Sequence, residues 1–488
     1  MVVNSTLFLF FFAVVFLIYY LPPINRSHKL QNLWLLLVSY IFYSYADIRM
    51  IPLLFAVTII FFLLGKWLKT VVKKEEWDKA SRITTLGVCI GIAVLLYFKY
   101  MNFFAESIAA VLSQIGLNVS WTTLNIVMPI GVSFFTFKLI SYIIEINNEG
   151  IEPCKDFVEF ALYISFFPTI LSGPIDRPNT FLPQLRKKHQ FNYPLAVDGC
   201  RQILWGMFTK MCIADNLAAT TDLVWADHSS QSAGTLIVVA LLYYIEMYAD
   251  FDGYSNMAIG IGKLLGFNIT RNFNHPFLAR NMAEFWNRWH ISLTKWITDY
   301  VYTPLNYTFR DKGKLGVIMA IMINLIVIGF WHGANWNYGL YGLYHGLLFV
   351  PLIVSGSFGK KGDLKTSIWG LPRVSDVLWM VCTFILVSIG LVLFRASSVE
   401  DASNYFWSIC TLANGFKTGT MFTQIPAYIF TIVLVVLEWF KRQEEHPLQF
   451  NSPIMTNYAL SRYCVYCLIM YLIVFYQGGS NSFIYFQF

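Results

Sequence analysis

Long apolar blocks alternate with short polar connections along almost the whole chain. They run Leu7–Leu21, Leu33–Tyr45, Ile51–Gly65, Ile83–Phe98, Leu124–Ile146, Thr235–Ala249, Leu315–Trp331, Tyr338–Val354, Val377–Phe394, Ile425–Phe440 and Ala459–Tyr476. A membrane-crossing helix takes about 20 residues, with a range of about 17–25, so the shorter blocks must borrow flanking residues or tilt. The pattern predicts an all-α, polytopic membrane protein with about eleven transmembrane helices. Phe157–Leu171 and Gly199–Ile213 are further apolar pieces, either crossing or re-entrant. No internal repeat, low-complexity tract or soluble module interrupts this pattern, so residues 1–488 are read as one integral-membrane domain.

The regularity fails in the middle. Between Asp250 and Asn306, aromatics, arginines and amides interleave with short apolar runs. Irregular backbone at membrane depth is tolerated only where protein buries it or where it lines a cavity. This stretch therefore predicts re-entrant or interfacial helices packed beneath the block that ends at Trp331, with residues 250–346 as the catalytic region. The glycines of Gly260-Ile-Gly262-Lys-Leu-Leu-Gly266 follow no strand and lie in an apolar helical run, which points to close helix packing and not to a phosphate loop.

The first block lacks a basic leader and ends in Pro22-Pro23 with no small-residue cleavage site, so it is read as a retained helix. Basic residues set the orientation. Lys66 to Arg82 is the most basic connection, Arg26 and Lys29 follow the first block, and the turn at Asp47-Ile-Arg49 is nearly neutral. The positive-inside bias then places the N-terminus outside. It also puts the basic stretch from Arg271 to Lys314 and the cluster from Lys360 to Arg373 in the cytoplasm, so that the helix ending at His332 travels outward. Arg395–Gln424 is expected outside.

Composition agrees with a membrane: 57% of residues are hydrophobic, 18% aromatic and only 13% charged, where a soluble chain carries about 25% charged residues. The net charge of +7 reads as this same inside bias and as attraction to anionic lipid, so no nucleic-acid role is expected. Most of the eight cysteines sit in apolar blocks. Without other soft ligands nearby, Cys464-Val-Tyr-Cys467 reads as packing and no metal site is expected.

Candidate chemistry concentrates on histidine. His28, His189, His228 and His446 lie among polar loop residues and are read as without function, and His275, before Pro276, as structural. His290, in Phe285-Trp-Asn-Arg-Trp-His-Ile-Ser-Leu293, is either a packing or a site residue. His332 closes an apolar run and is followed by GANW, so Asn335 and Trp336 place an amide and a ring within one turn. An ionisable group at bilayer depth is costly and is usually turned to a partner or a cavity. His345 lies 13 residues further, about 220° round a continuous helix. Only a break at Gly333-Ala-Asn335 would bring both rings to one cavity, and packing is its simpler role.

A neutral buried imidazole accepts a proton, which suits a general base. No GxSxG elbow, HExxH, DxDxDG or cysteine nucleophile is present. The chemistry left is direct transfer, in which a substrate hydroxyl loses its proton as it attacks an activated acyl group. A secondary transporter would also have broken helices and a buried ionisable residue, but it predicts paired halves that the sequence does not show.

Six motifs carry a resemblance: Met128-Pro-Ile-Gly-Val-Ser-Phe-Phe-Thr-Phe137, Leu171-Ser-Gly-Pro-Ile-Asp-Arg177, Asp250-Phe-Asp-Gly-Tyr-Ser-Asn-Met-Ala-Ile-Gly260, the segment around His290, Trp331-His-Gly333, and Phe483-Ile-Tyr-Phe-Gln-Phe488. In this order the chain resembles the membrane-bound O-acyltransferases, and within them the bacterial branch of alginate O-acetylation and teichoic acid D-alanylation membrane proteins. The resemblance implies a helical fold with opposed cytoplasmic and extracellular funnels, and matches His332 to the essential histidine and His290 to the second histidine. Asp252, Trp289, Asn335, Trp336 and His345 are supporting candidates. Lys138 and Asn256 stand where relatives often carry Gln and Asp.

The resemblance also implies an acyl donor used as substrate, acetyl-CoA or an acylated carrier-protein phosphopantetheine, with no bound cofactor. The acceptor would be an extracytoplasmic polysaccharide, alginate-like or another glycan, or a partner acetyltransferase outside. The location implied is the cytoplasmic (inner) cell membrane. D-alanyl transfer to teichoic acid is the alternative, which the additional stretch between Arg395 and Ile425 disfavours.

Overall fold

A computed structural model describes residues 2–117, 128–359, 370–418, 425–450, 458–479 and 483–484. Among them the chain is helical, with no strand. Ten of the eleven apolar blocks fall on helices, and the block that begins at Leu124 does so from Val132 onward, since a chain without water must pair its backbone groups within its own segment. Six stretches are long and apolar enough to cross a membrane: His28–Val72, Trp77–Gln114, Ala233–Leu265, Arg310–His332, Val374–Arg395 and Ala459–Tyr476. Thr6–Tyr20 and Ile425–Phe440 are shorter apolar helices. By that measure the described residues do not reach a count of eleven. Most of the closing Phe483–Phe488 motif, part of the apolar block that begins at Leu124 and the lysines of Lys360–Lys365 lie outside the described residues.

The chain divides into two compact units. The first comprises residues 1–199 and 261–270. Its centre is α1 (Val132–Asn147), buried along nearly its whole length. Small residues let its neighbours approach: a side chain at Gly91 would meet Ile140, and one at Gly65 would meet the Tyr142 ring. Two of the motifs serve this packing. Gly131, at φ +77°, lies so close to the Ile170 carbonyl that a Cβ would stand 2.3 Å from its oxygen. Lys138 is buried, and its Nζ donates to the Tyr163 carbonyl (3.2 Å) and Thr169 Oγ1 (3.1 Å). Asp176 Oδ1 accepts from both the amide and the hydroxyl of Thr270, each at 2.9 Å.

The second unit comprises residues 200–260 and 271–488. Most of α2 (Ala233–Leu265) belongs to it. Here the sequence expectation is corrected: the irregular stretch begins after Leu265 and not at Asp250. The polar residues of Asp250–Gly260 do not break the helix because each has a buried partner. Lys210 meets Asp250, Asn256 Nδ2 donates to Asp252 Oδ2 at 2.7 Å, Gln202 donates to Asn256 at 2.9 Å, and Asn272 reaches the Ser255 hydroxyl at 3.4 Å. Beyond Leu265 the expected short pieces appear as α3 (Met282–Arg288), α4 (Ile291–Ile297) and α5 (Thr303–Thr308), with a wide-turn segment at Thr298–Tyr302 between the last two. They precede the hairpin of α6 (Gly313–His332) and α7 (Trp336–Val354).

Candidate active site

His332 is the last residue of α6. The chain leaves the helix at Gly333 in an extended conformation and restarts at Asn335, whose side chain caps α7 by accepting from the Trp336 amide at 2.7 Å. Glycine is required at this break: a Cβ on Gly333 would lie 2.1 Å from the Tyr338 ring. The two arms of the hairpin also meet closely, since a Cβ on Gly342 would stand 2.3 Å from the Leu325 carbonyl oxygen.

The His332 ring is 3% exposed and enclosed by aromatic rings. Trp331 stands 4.9 Å away, Phe394 5.0 Å and Tyr341 6.3 Å, all nearly perpendicular to it. Phe394 comes from α8 (Val374–Arg395), so three helices enclose the imidazole.

The His290 ring also packs on the Trp331 indole, at 5.7 Å and nearly perpendicular to it. The residue takes a left-handed conformation, φ +44°, between α3 and α4, which turns its side chain into the unit. Its Nδ1 meets Asn272 Oδ1 at 3.1 Å, and the same oxygen accepts from the Ser292 hydroxyl at 2.9 Å. An oxygen that already accepts from Ser292 can only accept from His290, so Nδ1 carries the hydrogen and Nε2 presents its lone pair. Phe251 of α2 flanks the ring at 4.7 Å.

The break at Gly333–Asn335 also brings His345 near: Tyr341 contacts both His332 and His345, the latter at 4.5 Å. His345 is fully buried among Phe285, Trp286, Tyr341 and Tyr344. Neither of its ring nitrogens has a hydrogen-bond partner among the described residues.

The other sequence candidates make contacts of their own. Trp289 packs in the aromatic core with Phe285, Phe273 and Tyr244. Asp252 is buried with Asn256. Trp336 is 58% exposed and lies against Phe330. Asn335 Nδ2 donates to the Ser397 carbonyl at 2.8 Å, tying the break to the chain that follows α8. Sequence reasoning missed Asn272, Tyr341 and Phe394. Asn272 precedes His290 by 18 positions with no periodic relation to it, and a phenylalanine in an apolar run carries no signal of its own.

Two buried histidine rings thus pack on one buried tryptophan, one at a helix end and one at a left-handed turn, and a buried imidazole is a group that can accept and return a proton. The family model of MBOAT, the membrane-bound O-acyltransferase family, matches residues 37–393. The chain belongs to this family. The match spans both histidines and parts of both units. The protein is therefore an acyltransferase enzyme of the membrane, as the sequence motifs led one to expect, and secondary transport falls away as an alternative.

Among its relatives, a probable alginate O-acetylase of Pseudomonas putida is 31% identical, with all of both chains covered. A peptidoglycan O-acetyltransferase of Helicobacter pylori is 27% identical over 99% of this chain and 97% of its own. A teichoic acid D-alanyltransferase of Streptococcus thermophilus is 31% identical over 62% of this chain and 77% of its own.

Proposed function

We propose that this membrane-bound O-acyltransferase moves an acetyl group from a cytoplasmic thioester to a hydroxyl of an extracytoplasmic glycan, with His332 as general base. The observation that carries this reading is the enclosure of His332 by Trp331, Phe394 and Tyr341 at the break between α6 and α7. The acceptor oxygen attacks the thioester carbonyl as His332 takes its proton. The C–S bond then breaks, and the proton passes to the departing thiolate. Exclusion of water by the surrounding rings protects the thioester from hydrolysis.

His290 serves the donor side in this reading, with Asn272 fixing its ring. His290→Ala is expected to lower turnover by about 10–100-fold, less than loss of the base, and to raise KM for the donor. Unchanged donor KM and turnover would reduce His290 to a packing residue.

The donor is acetyl-CoA or an acylated carrier-protein phosphopantetheine, and a partner acetyltransferase outside is an alternative first acceptor. Full-length similarity to O-acetylases, against partial coverage by the D-alanyltransferase, favours acetyl over D-alanyl. Purified protein given radiolabelled acetyl-CoA or acetylated carrier should place label on a glycan acceptor. Label from a D-alanyl carrier alone would move the assignment to the other branch.

The donor must arrive from inside and the acceptor from outside. Single cysteines at Lys74 and Lys312 in a cysteine-free background are expected to resist an impermeant maleimide on intact cells and to react after permeabilisation. Labelling from outside would reverse the orientation and with it the direction of transfer.

A further inference from the structure

The end of α8 is fastened to the start of α7 by two asparagine side chains. Asn337 is 1% exposed, and its Nδ2 donates to the carbonyls of Leu393 at 3.2 Å and Ala396 at 2.6 Å. The last carbonyls of a helix have no amide of their own helix to accept from, and the Ser397 amide that follows is turned to Asp401 at 2.8 Å. One buried side-chain amide therefore commits both of its hydrogens to the last turn of α8. Asn335 adds a third tie, to the Ser397 carbonyl at 2.8 Å.

Phe394 lies between the two carbonyls that Asn337 holds. Its ring packs nearly perpendicular to His332 at 5.0 Å, and also meets Tyr338 at 5.3 Å and Tyr341 at 5.4 Å. Trp331 and Tyr341 belong to the α6–α7 hairpin that carries His332, whereas Phe394 reaches the imidazole from outside it. The setting of the imidazole thus depends on where α8 ends.

We propose that Asn337 is a positioning residue for His332: by fixing the last turn of α8 it keeps the Phe394 ring against the imidazole and holds the base in the orientation that meets the acceptor hydroxyl. This rests on the reading of His332 as the general base. The other tie near this turn is weaker. Arg395 pairs with Asp222 at 2.7 Å, but the two side chains are 33% and 55% exposed, and a pair so open to water holds little. Ala396 is 4% exposed, so its carbonyl is largely shut off from water and loses its partner outright when the Asn337 amide is removed. A shift of about 1 Å at a reacting group can cost about 10²-fold in rate.

Asn337→Leu keeps nearly the same shape without either donor. In the full-length protein in detergent it is expected to lower kcat for labelled-acetyl transfer about tenfold or more and to leave donor and acceptor KM within about twofold, since neither substrate contact is removed. In a Phe394→Leu background the same change should cost no more than about twofold, because the ring through which it acts is gone. Where Asn337→Leu does not yield monodisperse protein, Asn337→Ala is read in the same way. Undiminished kcat, a loss carried by KM, or a loss of equal size with and without the Phe394 ring overturns the inference. Histidine labelled with ¹³C at Cε1 reports the contact without turnover. The His332 resonance, assigned by its disappearance in His332→Ala, should move in both Asn337→Leu and Phe394→Leu, and a resonance unmoved by Asn337→Leu refutes the positioning role. Near-normal transfer by His332→Ala would refute the general base itself. An essential His332 beside an indifferent Asn337 would refute this inference alone.

Discussion

His332→Ala is expected to lower acetyl transfer by about 10²–10⁴-fold, the range that a positioned general base contributes, while the protein still purifies as a monodisperse species. The argument rests on place. The imidazole ends α6 and touches Trp331, Phe394 and Tyr341, so its removal leaves a small cavity among rings that continue to pack on one another. Some stability is lost, as with any buried truncation, but the helix break is retained because Gly333 and the Asn335 cap form it. Turnover with saturating donor and acceptor is the deciding measurement. Donor KM should change little, since the base acts on the acceptor hydroxyl. Near-normal turnover in a folded variant would exclude His332 as the base and move the search to His290 or His345.

The helices were legible in the sequence because the bilayer leaves so few choices. An apolar block that cannot meet water must form its own hydrogen bonds, and ten of the eleven blocks, with the part of the other from Val132 onward, fall on helices. His332 was legible for the same reason in reverse, as a titratable ring at the end of such a block. The break after it was signalled by Gly333. What the sequence concealed is the pairing of distant polar residues. Asp250, Asp252 and Asn256 looked like the start of irregular chain, yet they stay helical because Lys210 meets Asp250 from 40 positions earlier, Gln202 meets Asn256 from 54 positions earlier, and Asn256 in turn donates to Asp252. The Asn272 contact that sets the His290 tautomer is hidden in the same way, as is the cavity beside Arg395, whose walls come from two distant stretches, Asp222–Ser229 and Arg395–Asp401. His228, which looked like an ordinary loop residue, lines that cavity because Asp401 holds it there.

Lys210→Met is expected to cost about 3–5 kcal/mol, the penalty for removing one partner of a buried ion pair, and to show as a sharply lower melting temperature in detergent or as loss of the protein. Lys210 Nζ stands 2.8 Å from Asp215 and 2.5 Å from Asp250, and all three side chains are almost completely buried. Without the cation, two carboxylates share one dry site, so each raises the cost of ionising the other. The damage should reach the active centre along α2. Asp250 Oδ2 also accepts from the Ile484 amide at 2.9 Å, and the next residue, Phe251, lies against the His290 ring at 4.7 Å. Neutralising the whole cluster, with Asp215→Asn and Asp250→Asn added to Lys210→Met, should recover part of the lost stability, because no unpaired charge remains to be buried. A single Lys210→Met variant that melts with the unaltered protein would mean that the carboxylates reach water or take up protons at little cost. The cluster would then not be what keeps the polar half of α2 helical and in place beside His290.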